Sequence, residues 1–264
     1  MTLKYAVSIA GSDSSGGAGL QTDIKTMNAC GVWGMTVVAA LTAQNGMQVT
    51  ASAKVDSAFI AKQIRTLCDE FPVAAWKTGM LNTAETVHAV ADALPADAVL
   101  VVDPVIVATS GGILLDEPGV SAVVEKLLSK AAVVTPNIPE TEYLSGIRIT
   151  DTASVEAAGQ WFREQGAAAV LIKGGHSPAF AGADFLIDGD GFHTIAGRRL
   201  PFSDIHGTGC CLSSAIAAYL AQGKDVMSAV KQAKAFVASA IEHSVVYPSG
   251  RRTVNPLWVT VGKD

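Results

Sequence analysis

Short runs of apolar, often β-branched residues recur along this chain with helix-length amphipathic stretches between them. That alternation restricts the architecture more than any other feature. The runs at Tyr5–Ala10, Met35–Leu41, Ala74–Thr78, Ala98–Val102, Ala132–Thr135 and Ala168–Lys173 read as strands. Between them, helices are expected near residues 18–30, 56–70, 83–94, 119–130 and 152–165, with Asp56 and Thr83 placed as N-caps. Such an order implies right-handed βαβ units and a mostly parallel sheet covered by helices on both faces. The pattern then changes. Asp184–Asp188 and Gly191–Ala196, joined by Gly189-Asp190, read as a hairpin, and helices near 208–222 and 225–243 follow. With no linker-like stretch, low-complexity segment or repeat, residues 1–264 read as a single α/β domain.

The composition agrees. Hydrophobic residues make up 49% of the chain and charged residues 16%, enough apolar material for a large core built on a buried parallel sheet. A net charge of −5 with no basic run argues against a nucleic-acid partner. No apolar stretch approaches the ~20 residues that a membrane span needs, so no membrane partner is expected. The N-terminus lacks the cationic and apolar regions of a signal peptide. Cys30, Cys68, Cys210 and Cys211 show no CxxC spacing, which favours reduced thiols and a cytoplasmic setting.

The segment His206-Gly207-Thr208-Gly209-Cys210-Cys211 leads from a Gly-rich turn into an Ala-rich helix. A helix start presents unpaired N–H groups and the positive end of its dipole, which together form an anion site. Gly207 and Gly209 let a phosphate approach the backbone closely. Cys210 falls in the first turn, where a lowered thiol pKa is expected.

Ligands of open parallel sheets sit beyond the carboxyl ends of the strands. There the sequence places Gly11–Gly19 followed by Asp23, then Thr42-Ala43-Gln44-Asn45-Gly46, Lys77–Met80, Asp103-Pro104-Val105, Pro136–Glu140 and Lys173-Gly174-Gly175-His176. Carboxylates, a lysine and several Gly turns along one edge suit phosphoryl transfer from a magnesium nucleotide. The glycines of 11–19 do not fall as GxGxxG, and no GxxxxGK[ST] is present, which argues against a dinucleotide fold and excludes a P-loop.

Taken in order, AGSDSSGGAGLQTDIKT near the start, TAQNG at 42–46, KTGML at 77–81, DPV at 103–105, TPNIPE at 135–140, KGGH at 173–176 and HGTGC at 206–210 resemble the bacterial hydroxymethylpyrimidine/phosphomethylpyrimidine kinases of thiamine biosynthesis. These belong to the ribokinase-like superfamily. The resemblance extends from residue 5 to about 243, while Tyr247–Arg252 and the final residues depart from the family's Gly-rich closing motif. It implies a three-layer sandwich, a homodimer, and an ATP- and Mg2+-dependent enzyme that phosphorylates the hydroxymethyl group of a pyrimidine and then the resulting monophosphate. A pyridoxine or pyridoxal kinase of vitamin B6 salvage is the alternative reading, because the phosphoryl machinery of the two would look alike.

Within this reading Gly207, Thr208, Gly209 and Cys210 form the anion hole, with Cys210 at the position where ribokinase-like enzymes place a general base. Asp103 and Glu140 are expected to hold Mg2+ through water. Lys173, Asn137 and Gly174 are expected to face nucleotide phosphates. Gln44 offers a donor and an acceptor to an aminopyrimidine edge, and Asp23, Met80 and Val107 complete the substrate pocket. Cys211 is read as core filling, and His176 and His206 as structural loop residues.

Overall fold

The computed structural model describes residues 2–107, 114–175, 180, 182–197, 200, 202 and 205–259. The sheet strands are β1 (Tyr5–Asp13), β2 (Trp33–Gln44), β3 (Val49–Lys54), β4 (Val73–Thr78), β5 (Leu100–Val102), β6 (Ala131–Val134), β7 (Val170–Lys173), β8 (Asp184–Asp188) and β9 (Gly191–Ile195). They form one nine-stranded sheet in the order β3-β2-β1-β4-β5-β6-β7-β8-β9. The pairs from β2 to β7 are parallel; β3 and the β8–β9 hairpin add antiparallel edges.

The helices are α1 (Gly19–Ala29), α2 (Ser57–Glu70), α3 (Ala84–Ala93), α4 (Glu117–Lys126), α5 (Ile138–Ser145), α6 (Thr152–Glu164), α7 (Thr208–Ala221) and α8 (Val226–Glu242). One face of the sheet is packed by Ile60 and Ile64 of α2, Val87 and Val90 of α3, Val123 of α4 and Phe162 of α6. Met27 of α1, Ile216 of α7 and Val230 of α8 cover the other. This is the expected three-layer sandwich.

Local chemistry explains the helix starts. Asp56 and Thr83 accept the N–H groups of Phe59 and Thr86, so both expected N-caps are present. Asp116, Asn137, Asp151 and Asp225 cap α4, α5, α6 and α8 in the same way. Only α1 and α7, among the described helices, begin with no side-chain cap. An uncapped start leaves its first N–H groups free for another acceptor.

Several boundaries differ from expectation. β1 continues past Ala10 to Asp13 through a register shift between Ala10 and Gly11, and Asp13 ends it paired with Thr42 of β2. β3 was not foreseen. Its residues are all exposed, so no hydrophobic alternation marks it, and only its antiparallel ladder with β2 defines it. The Pro136–Glu140 loop leads into α5, also unforeseen, and the helix near 119–130 ends at Lys126 before a short 3-10 turn at Leu128–Lys130. A small hairpin of β10 (Val245–Val246) and β11 (Arg252–Thr253) follows α8. His176 lies outside the described residues.

Candidate active site

The C-terminal ends of β1, β4, β5 and β7 converge beneath the start of α7. Gly207 caps that helix with φ of 83°, in the left-handed region open to glycine. A side chain there would also run into the carbonyl of Gly17. Thr208, Gly209 and Cys210 supply the first-turn N–H groups. A Cβ on Gly209 would stand 3.6 Å from Lys173 Nζ and 3.7 Å from Asp103 Oδ2, so the turn faces a cation and a carboxylate.

Asp103 is the hub of this floor. Its Oδ1 lies 3.2 Å from Lys173 Nζ and accepts from the Thr135 hydroxyl at 3.3 Å, while Oδ2 accepts from Ser213 Oγ at 3.1 Å. Burial alone would push the Lys173 ammonium down, but Asp103 and Glu140 more than offset it and raise its pKa. Lys173 stays charged.

A second pair lies deeper. Lys77 Nζ and Asp23 Oδ2 meet at 2.8 Å with neither side chain exposed. Asp23 also accepts from the hydroxyls of Ser8 at 2.5 Å and Ser214 at 2.7 Å. Burial opposes the charge on Lys77, yet Asp23 foremost, with Cys210 and Asp103, raises its pKa overall. Asp23 was expected in the substrate pocket. Its full burial and its three partners instead make it the counter-ion of Lys77.

Cys210 also departs from expectation. Burial pushes its thiol up to about 11; Lys77 pulls down, while Asp23 and Asp103 push further up. The loss of water, joined by the two carboxylates, outweighs Lys77 and the helix start, so at neutral pH Cys210 is a thiol, not a thiolate. The Gly19 N–H points at it from the uncapped end of α1. Cys211 is fully buried and takes a hydrogen bond from Thr26 Oγ1 at 3.4 Å, which fits core filling.

Asn137 and Glu140 form a reciprocal capping box at the start of α5, the Asn137 Oδ1 accepting from the Glu140 N–H at 2.8 Å and Glu140 Oε2 from the Asn137 N–H at 2.9 Å. Burial pushes the Glu140 carboxyl up to about 6; Lys173 pulls it down and Asp103 pushes it up. Mg2+ is commonly held by one or two carboxylates together with substrate phosphates. Asp103 and Glu140, close enough that the Asp103 charge raises the Glu140 pKa, fit that pattern. The Gly174 N–H donates to Asp184 Oδ1 at 3.0 Å, and a Cβ there would strike the carbonyl of Ala183. Its N–H is therefore committed to the β7–β8 turn rather than free for a phosphate.

Of the residues expected in the substrate pocket, Gln44 ends β2 and its amide nitrogen lies 3.3 Å from His206 Nε2. Met80 is half-buried against Gly11, where a Cβ would approach its Cε to 2.6 Å. Val107 is 50% exposed. His206, read from sequence as a structural loop residue, also reaches Asp13 Oδ2 at 3.2 Å. Lys77, Asp13, Ser213 and Ser214 received no individual role from the sequence. Lys77 carried a signal, a lone cation closing the apolar run Ala74-Ala75-Trp76.

Comparison with known proteins agrees with this geometry. The family model described as phosphomethylpyrimidine kinase matches residues 13–255. The hydroxymethylpyrimidine/phosphomethylpyrimidine kinase of Haemophilus influenzae is 42% identical over 96% of each chain. The thiamine biosynthesis bifunctional protein of Geobacter sulfurreducens is 44% identical over 93% of this chain, which spans 50% of that longer protein. Among solved structures, phosphomethylpyrimidine kinase of Clostridium difficile superposes with a TM-score of 0.80 at 36% identity, covering 90% of this chain and 99% of that one. The ADP complex of Bacillus subtilis pyridoxal kinase gives 0.88 at 30% identity, covering 99% and 100%. With its ribokinase-like sandwich and a family match that spans nearly all of its length, this chain belongs to the phosphomethylpyrimidine kinase family.

Proposed function

We propose that this kinase transfers the γ-phosphoryl group of ATP to the hydroxymethyl oxygen of 4-amino-5-hydroxymethyl-2-methylpyrimidine, and then phosphorylates the monophosphate to the diphosphate for thiamine biosynthesis. The observation that carries this reading is the uncapped start of α7 lying over the Asp103–Lys173 pair. Phosphoryl transfer asks chiefly for positioning and for charge stabilisation along the line of attack. The N–H groups of Gly207, Thr208, Gly209 and Cys210 serve the transferring phosphoryl oxygens, and Lys173 holds the nucleotide phosphates.

Asp103 and Glu140 would hold Mg2+, through water, which neutralises phosphate charge. Cys210, a neutral thiol in the resting protein, sits where the acceptor hydroxyl must lose its proton. Lys77 beneath it stabilises negative charge on the attacking oxygen, and late in the transfer the hydroxyl proton passes to an oxygen of the transferring phosphoryl group as its bond to ADP breaks. Gln44 reads the aminopyrimidine edge, with Met80 and Val107 as apolar walls. A homodimer in the cytoplasm belongs to the same reading. No helix among the described residues is long and apolar enough to cross a membrane.

The likeness to pyridoxal kinases keeps a second acceptor in view. ADP release measured side by side with the hydroxymethylpyrimidine, its monophosphate and pyridoxine separates the two. Turnover of both pyrimidines above pyridoxine supports this reading, and preference for pyridoxine overturns it.

A further inference from the structure

Gln44, His206 and Asp13 form a chain whose hydrogens can be counted. One ring nitrogen, His206 Nε2, stands 3.3 Å from the Gln44 amide nitrogen and 3.2 Å from Asp13 Oδ2. Asp13 is an acceptor throughout. It takes the Ser15 N–H at 2.9 Å, the Ser15 hydroxyl at 2.8 Å and the Ala18 N–H at 2.9 Å. Burial would push its carboxyl up, but hydrogen bonds from His206 and Ser15 outweigh it and hold the group below the usual carboxylate range. An ionised carboxylate donates nothing, so His206 Nε2 must carry a hydrogen. That holds whether the ring is neutral or charged.

A protonated ring nitrogen has no lone pair for an amide N–H. The other end of Gln44 raises the same difficulty. Thr42 Oγ1 lies 2.7 Å from the Ser12 carbonyl, which accepts its only hydrogen, and 3.2 Å from Gln44 Oε1. Two acceptor oxygens would then face each other. Turning the Gln44 amide by 180° satisfies every group: His206 Nε2–H is shared between Asp13 and the Gln44 oxygen, and the Gln44 N–H₂ donates to Thr42. The two ends of an amide have the same shape, so this count decides its orientation.

His206 is itself fixed. Its N–H donates to the Arg252 carbonyl at 3.0 Å, and its carbonyl accepts from the Val254 N–H at 3.0 Å. Thr253 Oγ1 donates to the Gly17 carbonyl at 2.9 Å, and Tyr247 Oη to the Ser15 carbonyl at 3.3 Å. The divergent C-terminal hairpin therefore straps together the two loops that supply Asp13 and His206.

We propose that His206, oriented by Asp13, is a positioning residue that fixes the Gln44 amide with its oxygen toward the ring, and so sets the order of donor and acceptor shown to the acceptor substrate. An edge with that order reversed can pair only if the substrate ring turns over, which moves its hydroxymethyl group away from Cys210. The specificity clause rests on the function proposed above.

Two measurements test it. In protein labelled with nitrogen-15 at histidine, the His206 Nε2 signal, assigned by its loss in His206→Gln, is expected to be protonated across neutral pH. An unprotonated Nε2 overturns the hydrogen-bond order. In kinetics, His206→Leu is expected to lower kcat/KM for the aminopyrimidine about tenfold or more, chiefly through KM, and to affect the analogue lacking the 4-amino group far less. His206→Gln, which keeps a donor, restores most of the loss. In a Gln44→Met background the His206→Leu effect disappears. Equal losses for both acceptors, or an undiminished loss in that background, overturn the positioning role. A wild type with no turnover of the aminopyrimidine overturns the functional reading and its specificity clause, while the proton on His206 still decides the hydrogen-bond order.

Discussion

Lys173 Nζ sits 3.2 Å from Asp103 Oδ1 at the ends of two strands that are not neighbours, β7 and β5, directly under the first turn of α7. In the proposed function, a cation held this way meets the incoming phosphates while its partner carboxylate would serve a hydrated metal ion. Lys173→Ala is expected to raise KM for ATP about tenfold or more while the fold persists. Asp103→Asn should raise the Mg2+ concentration needed for half-maximal turnover by about tenfold, as for a residue acting through bound water. Lost thermal stability with normal kinetics would mean that the pair is structural only.

Cys210 and Cys211 should separate cleanly. Cys210→Ala is expected to lower kcat at saturating substrates far more than Cys211→Ala. The latter removes a buried sulfur and its Thr26 contact, and should instead destabilise the fold by about 1–2 kcal/mol. Equal, mild losses of activity would remove Cys210 from the reaction. Because burial pushes the Cys210 thiol up to about 11, its alkylation by iodoacetamide should be slow at pH 7.5 and accelerate toward pH 11.

Asp13 supplies a pH prediction. Its folded-state pKa is depressed, so it contributes stability above the unfolded value, near 3.8, and that contribution is lost as pH falls through the lower folded value. Asp13→Asn should be less stable than wild type at neutral pH by about 2 kcal/mol, from weakened charge-assisted hydrogen bonds. The difference should begin to shrink below about pH 4, where the unfolded-state carboxylate takes up its proton, and be lost once pH falls through the lower native value. Urea unfolding across pH 3–7 measures it, and a constant difference would contradict it.

Much of this was legible in the sequence because it is local. The strand–helix alternation, the caps at Asp56 and Thr83 and the turn at Gly189-Asp190 each depend on neighbours within a few residues. β3 was missed because both of its faces meet solvent and leave no apolar pattern. α5 was missed because Pro136 and Pro139 read as a loop, although Asn137 and Glu140 spell a capping box with proline in the first turn. The site residues at strand ends could be placed by the βαβ rule. Their partners could not: Asp23 and Lys77 are far apart in sequence, and Asp13 meets His206 from the other end of the chain. The expected low thiol pKa at Cys210 failed for the same reason, since its burial, foremost, and the nearby Asp23 and Asp103 carboxylates arise only through folding.

In the proposed function, substrate choice rests on Gln44. Stranding a buried polar group costs about 1–3 kcal/mol, or roughly 5- to 150-fold in specificity. Gln44→Met should depress kcat/KM for the hydroxymethylpyrimidine by that amount, and spare or raise it for pyridoxine, since the phosphoryl-transfer residues are untouched. An unchanged ratio between the two would mean that Gln44 does not read the substrate.

The most direct test follows the products by phosphorus NMR as wild-type protein acts on ATP, Mg2+ and 4-amino-5-hydroxymethyl-2-methylpyrimidine. The account predicts a phosphate monoester signal that rises first, then gives way to the paired signals of a diphosphate ester as ADP accumulates. Release of inorganic phosphate alone, or ester formation only when pyridoxine replaces the pyrimidine, would contradict it.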